Sequence, residues 1–76
     1  MELVKKYPYN KLTTTLLGKK VHFTSDCKLF PNFNVTGKVV AISLEKGIPL
    51  IKTILTSGKT IHIDGGMSNL SFELLN

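Results

Sequence analysis

The sequence predicts a mainly β fold: a small five-stranded barrel with a short helix at its N-terminal end. First, apolar and polar residues alternate with a period of two from about residue 20 onward, which is typical of half-buried strands. Second, turn residues, above all glycine, divide this part of the chain into five short segments. Third, the chain has only 76 residues, and a sheet this small protects its edges by bending into a barrel.

The length is enough for one domain over residues 1–76. We expect it to consist of an N-terminal arm (1–9), a short helix (10–17) and the barrel (18–75). Leu12 and Leu16 lie four residues apart, so they share one face of the helix. Asn10 is the expected N-cap, and Gly18 is the residue expected to end the helix.

The predicted strands follow the alternation, and Pro- or Gly-containing turns separate them. They are 20–24, 35–44, 50–56, 59–63 and 70–74. Gly37 lies inside the second strand and indicates a bulge or a sharp bend. The predicted core consists of apolar residues on the inward side: Leu16, Val21, Phe23, Val39, Ile42, Leu50, Ile54, Ile61, Ile63, Leu70, Phe72 and Leu74.

The barrel region resembles known small β folds. Residues 18–23 (GKKVHF) and 37–42 (GKVVAI) flank a long loop, and two hairpin-linked strands and a closing strand follow. This order resembles the SH3-like barrels over residues 18–75, and it is similar to the Sm-like barrels, which begin with a short helix. The long loop at 24–34 favours the SH3-like version. The resemblance implies an architecture, and any function it implies is an analogy.

The charge balance indicates the kind of partner. The formal net charge is +5, and all ten cationic side chains are lysines. A basic surface favours anionic partners such as phosphates, nucleic acid or an acidic protein. Without arginine, the chain lacks the guanidinium fork that commonly reads guanine edges, so lysine supplies charge and little base readout. The Lys- and Asn-rich composition also indicates an AT-rich genome, and hence a phage or low-GC bacterial accessory protein.

Several functional classes lack the residues they need. The single Cys27 and two histidines cannot form an intrachain disulfide or complete the usual zinc ligand sets. His62 and Asp64 project from one strand face, but we interpret them as an exposed histidine beside a turn aspartate. We therefore expect no enzyme activity, no metal and no cofactor. No apolar run approaches the ~20 residues that span a bilayer, so we expect a cytoplasmic protein without membrane contact.

Two loop segments form the predicted ligand site. The stretch 29–33 (LFPNF) is either a surface for stacking or docking, or a plug for one end of the barrel. The turn 64–69 (DGGMSN) either holds an anion with its backbone amides or is a plain turn, since glycine serves both. The predicted ligand-binding residues are Phe30, Phe33, Asn34, His62, Asp64, Gly65, Gly66, Ser68 and Asn69.

Three functions follow as hypotheses. The first is a non-enzymatic binding or inhibitor module that engages a host protein or sequesters a small anionic ligand such as a nucleotide. The second is a nucleic-acid-binding barrel that uses aromatic stacking and lysine–phosphate contacts. Its predicted lysines are Lys19, Lys20, Lys38 and Lys52. The third is a structural subunit of a larger assembly. We also expect a homo-oligomer, because small barrels with an apolar edge often assemble.

Overall fold

The computed structural model describes residues 2–29 and 32–75. Its elements in chain order are β1 (Glu2–Leu3), a 3-10 helix (Val4–Lys6), α1 (Tyr9–Leu16), β2 (Lys20–Ser25), β3 (Phe33–Glu45), β4 (Ile48–Leu55), β5 (Thr60–Asp64) and β6 (Ser71–Leu75). Phe30, one of the predicted ligand-binding residues, lies outside the described residues.

The predicted mainly β fold with one short α-helix is confirmed, but the five-stranded closed barrel is not. The six strands form one antiparallel sheet in the order β1-β6-β2-β3-β4-β5. The N-terminal arm supplies the additional strand, because Glu2 pairs with Phe72 and Leu3 pairs with Ser71. Since β6 already lies between β1 and β2, it has no side left for β5. The sheet therefore keeps two edges, β1 and β5.

Helix α1 begins one residue earlier than predicted. The N-cap is Pro8 rather than Asn10, and the Pro8 carbonyl accepts hydrogen bonds from the Lys11 and Leu12 backbone amides. Pro8 is suited to this position because its fixed φ, −67°, matches the extended cap conformation. Gly18 follows the helix with a φ of 77°, which confirms the predicted end, because glycine adopts this conformation without steric cost.

The long strand β3 is irregular at two positions. Its register against β4 shifts between Val39 and Ala41, so the bulge lies at Val40, three residues after Gly37. The bulge turns both Val39 and Ile42 toward the core. Gly37 serves a different purpose, because β4 passes very close to it: a Cβ atom there would lie 2.5 Å from the Ile54 carbonyl oxygen. Gly37 therefore permits close approach of the two strands.

The core is built from residues of the helix and of strands β2 to β6, together with Val4 of the N-terminal arm and Leu70, which directly precedes β6. It comprises Val4, Leu12, Leu16, Val21, Phe23, Val39, Ile42, Ile51, Ile63, Leu70 and Phe72. The prediction was wrong at Ile54 and Leu74, which are exposed, and at Leu50, which is half-buried and lies outside the core. In β4 the inward side is that of Ile51 and Thr53, one residue out of phase with the prediction.

The N-terminal arm is anchored rather than loosely attached. Val4 is buried, and its amide donates a hydrogen bond of 2.9 Å to the Leu70 carbonyl. The ring of Tyr7 packs against that of Phe72, with 5.5 Å between centroids. The arm thus closes the side of the core that β6 would otherwise leave open.

Candidate functional site

Two surface depressions contain most of the predicted site residues. The first, called the basic groove, has a volume of about 650 Å³. It is lined by Gly18, Lys19, Lys20, Gly37, Lys38, Ile54, Leu55, Thr56 and Leu75. Three of the four lysines predicted to contact nucleic acid therefore lie together.

Strand pairing places two of these lysines side by side. Lys20 of β2 pairs with Lys38 of β3, and Lys38 pairs with Ile54 of β4 on its other side. Neighbouring strands lie roughly 4.8 Å apart, so these side chains form a row across the outer face of the sheet. Leu75 of β6 pairs with Lys20 and ends the row.

Lys19 reaches the groove from the turn that precedes β2. Its carbonyl accepts a hydrogen bond from the Val39 amide, and its own amide donates to the Leu16 carbonyl. These two bonds fix the backbone of Lys19 against the end of α1 and the middle of β3. The fourth predicted lysine, Lys52, does not line the groove. It is exposed on β4, where it pairs with His62 of the edge strand.

The electrostatic character of the basic groove is uniformly positive. None of its lining residues is acidic. Among the residues that the structure describes, the only ion pair joins Lys6 to Glu2 at 3.5 Å, away from this groove. The ammonium groups of Lys19, Lys20 and Lys38 are therefore not neutralised by a described carboxylate. Such a group of unpaired cations attracts anions.

The second depression, called the apolar cleft, has a volume of about 610 Å³. It lies between β5, the β2–β3 connection and the turn before β6. Its lining residues are Cys27, Leu29, Phe33, Ile61, His62, Ile63, Asp64, Gly66, Met67 and Ser68. Five of the predicted ligand-binding residues therefore come together here: Phe33, His62, Asp64, Gly66 and Ser68.

A buried hydroxyl joins two walls of the apolar cleft. The Ser25 hydroxyl donates a 2.7 Å hydrogen bond to the Ser68 carbonyl, and it accepts one of 3.2 Å from the Cys27 amide. Cys27 belongs to the β2–β3 connection and Ser68 to the turn before β6, so this one side chain links the two segments. The sequence offers no signal for this role, because Ser25 and Ser68 are 43 residues apart along the chain.

Three predicted ligand-binding residues lie outside the cleft lining. Asn34 faces the other side of the sheet, where its Oδ1 hydrogen-bonds His22 Nε2 at 2.6 Å. Gly65 is buried, and its amide donates to the Pro49 carbonyl at 2.8 Å. The Asn69 side chain donates to Asp26 Oδ1 at 2.9 Å. These residues hold the turns and strands around the cleft.

The turn 64–69 uses its amides internally. The Gly66 amide donates to Asp64 Oδ1 at 2.7 Å, and the Met67 amide donates to the Asp64 carbonyl at 3.1 Å. Together with the bond from Gly65 to Pro49, these contacts engage donors that an anion would require. The Asp64 carboxylate also adds negative charge at the cleft. The apolar cleft therefore suits a neutral apolar group better than an anion.

Apart from Leu29 and Phe33, which belong to the predicted segment 29–33, the apolar residues that line the two depressions were not predicted as site residues. Leu29 is 83% exposed beside the cleft, whereas Ile54 is 40% exposed in the basic groove. The strand register decides which apolar residues reach the surface, and the alternation in β4 does not reveal it. The pairs of adjacent apolar residues Leu50-Ile51 and Ile54-Leu55, which place apolar side chains on both faces of β4, were the only available signal.

No family model, no curated protein and no solved structure matches this chain. Within the described part of the chain, no helix is long and apolar enough to cross a membrane. The function has to be argued from the two depressions themselves.

Proposed function

We propose that this protein is a non-enzymatic, cytoplasmic nucleic-acid-binding domain whose basic groove contacts phosphates irrespective of base sequence. The observation that carries the proposal is the placement of Lys19, Lys20 and Lys38 in one groove that has no acidic lining residue and no described ion pair. Ammonium groups bind phosphates as point charges, and the release of counterions drives such binding.

The groove supports phosphate contact more than base recognition. Its lining contains no aromatic ring, so the stacking expected from the sequence is not available within it. The side chains of Ile54, Leu55 and Leu75 offer apolar contact to sugars and base edges instead. An SH3-like or Sm-like architecture remains part of this proposal, supported by the small antiparallel sheet that follows a short helix.

The test compares two triple variants of equal charge. Lys19→Gln/Lys20→Gln/Lys38→Gln removes the lysines of the groove, and Lys5→Gln/Lys11→Gln/Lys46→Gln removes three lysines that do not line it. Both lower the formal net charge from +5 to +2, since each removes three charges. Binding to a fluorescent single strand and a duplex is measured by anisotropy across a salt series.

We expect the groove variant to bind on the order of 10- to 100-fold more weakly than the unmodified protein. The salt dependence, as the slope of log K against log salt, should fall by about 2 to 3, because three phosphate contacts are lost. The control variant should keep most of the affinity. Equal losses in both variants would show a nonspecific charge effect, and binding insensitive to salt would contradict the proposal.

A second candidate function, docking of an apolar group from a host protein, is favoured by the apolar cleft. A titration with benzene, followed by methyl NMR, should shift the signals of Leu29 and Met67 and leave Leu44 unchanged. Leu44 is the control because it is half exposed on β3 but does not line the cleft.

A parallel titration with adenosine and AMP tests nucleotide sequestration, and stronger binding of AMP would contradict the apolar character of the cleft.

A further inference from the structure

The edge strand β5 offers unpaired backbone groups. It pairs with β4 alone and ends the sheet. Its residues Thr60–Asp64 include no proline and no lysine, and its register against β4 is continuous. Proline, lysine and β-bulges are features by which edge strands in natural proteins usually prevent pairing with another chain. Because Thr60–Asp64 contains none of these three, β5 can accept a further strand.

The register identifies which groups point outward. The Leu55 amide donates to the Lys59 carbonyl, and the Gly65 amide donates to the Pro49 carbonyl. Hydrogen-bonded pairs recur at every second residue of an antiparallel ladder, so Ile61 and Ile63 also bond to β4. Thr60, His62 and Asp64 therefore direct their amides away from β4. Among the described residues, no backbone bond to another element engages Thr60 or His62, whereas the Asp64 carbonyl already accepts one from the Met67 amide.

We propose that β5 pairs with β5 of a second copy of this chain, antiparallel about a two-fold axis at His62. In this register Thr60 lies opposite Asp64 of the second copy, so that its hydroxyl can donate to the carboxylate oxygen that the Gly66 amide does not engage. Ile61 lies opposite Ile63 of the second copy, which matches apolar side chains on the inner face. Both kinds of cross-strand pair stabilise antiparallel sheets.

The self-complementary order of β5 favours a second copy over an unrelated strand. Donor, apolar, central, apolar and acceptor residues follow one another, so in the antiparallel partner each donor lies opposite an acceptor and each apolar residue opposite an apolar one. A contact of this kind is isologous and closes as a dimer. The other edge, β1, has only two residues and offers a shorter match.

The dimer extends the proposed function without depending on it. A two-fold axis perpendicular to the sheet keeps the same face of both copies on one side. Lys52 pairs with His62 on that face, and the basic groove lies farther along the same sheet. Two basic grooves would then face one side of a continuous sheet. Each copy has a charge of +5, so added salt should strengthen dimerisation while it weakens binding to nucleic acid.

The test uses the residue that lies on the axis. Molar mass is measured by light scattering after size-exclusion chromatography over a concentration series. We expect the unmodified protein to approach twice 8.4 kDa. His62→Lys alone and His62→Asp alone should remain monomeric, because like charges lie directly opposite. An equimolar mixture of these two variants should form a dimer, because opposite charges then face each other.

The matched controls are His22→Lys and His22→Asp. His22 lies on the interior strand β2, and its substitution should leave the molar mass of the dimer unchanged. A monomeric unmodified protein at all concentrations would overturn the proposal. Dimers of the single His62 variants, or an equimolar mixture that remains monomeric, would also overturn it.

A second measurement covers the case in which His62 variants do not fold. Hydrogen exchange of the unmodified protein is followed at low and high concentration. The amides of Thr60 and His62 should exchange more slowly as the concentration rises, whereas the amide of Leu3 on the other edge should not change. Rapid exchange of Thr60 and His62 at every concentration would contradict the pairing, whether or not the groove binds nucleic acid.

Discussion

At the scale of single residues, two tyrosines in the N-terminal region have different tasks. The Tyr9 hydroxyl donates a hydrogen bond of 2.8 Å to the Ile42 carbonyl, and this bond connects α1 to β3. Tyr7 packs its ring against Phe72, and its hydroxyl makes no hydrogen bond with the described residues. Comparing the two tyrosines therefore distinguishes the contribution of a hydrogen bond to stability from that of ring packing.

We predict that Tyr9→Phe lowers the free energy of unfolding by about 1 kcal/mol, because the Ile42 carbonyl loses a partner while ring packing persists. Tyr7→Phe is the matched control and should change it by less than about 0.5 kcal/mol. Urea denaturation of both variants measures the difference. Equal values for the two variants would show that the bond from Tyr9 adds nothing to stability.

The lysines show what could be inferred at the residue scale from the sequence. Composition alone indicates a positive surface, and Lys19, Lys20 and Lys38 were predicted to act together. Their convergence depends on the pairing of β2 with β3, which joins residues far apart in the chain. Lys52 is predicted as part of the same group, but it lies two residues before Ile54 on β4, opposite His62, and does not line the groove.

At the scale of elements, α1 is a helix because one of its faces is buried. Its residues include three threonines, which have low helix propensity, and eight residues make a marginal helix in isolation. Leu12 and Leu16 are buried against the sheet, as their spacing predicted. Tertiary packing therefore supplies the stability that intrinsic propensity does not.

We predict that Leu16→Ala lowers the free energy of unfolding by about 2 to 5 kcal/mol, because it leaves a cavity in the core. Leu17→Ala, at the adjacent residue that is 44% exposed, should cost less than about 0.5 kcal/mol. Thermal or urea unfolding, monitored by circular dichroism, measures both. A small loss in Leu16→Ala would mean that α1 is not part of the cooperative fold.

For strands β4 and β6, the sequence predicts that a strand exists but does not identify every inward-facing residue. The existence of both strands was predicted, since each segment has clear turns at its ends. In β4, however, apolar residues occupy both faces, so alternation does not choose between Leu50 and Ile51 as the inward residue. The bulge at Val40 resets the phase of β3 against β4, and such a bulge has no distinct sequence signal.

At the scale of the whole molecule, the sheet differs from the predicted barrel because of one long-range pairing. Glu2 and Leu3 add to β6, which prevents β5 from reaching the same strand. Local patterns reveal where the strands lie along the chain, but they do not reveal which strands become neighbours. The same pairing leaves β5 open, and the proposed dimer is the consequence for assembly.

The position of β6 also bears on how the chain reaches its native state. The strands β2, β3, β4 and β5 are neighbours in the sheet in the same order as in the chain. Each can therefore pair with the preceding strand as soon as it has been synthesised. The last strand then inserts between the first two, which makes it the element that completes the sheet. On the ribosome, β1 and β2 must therefore remain apart until residues 71–75 have emerged, so β1 can pair only after a strand that is made about 70 residues later.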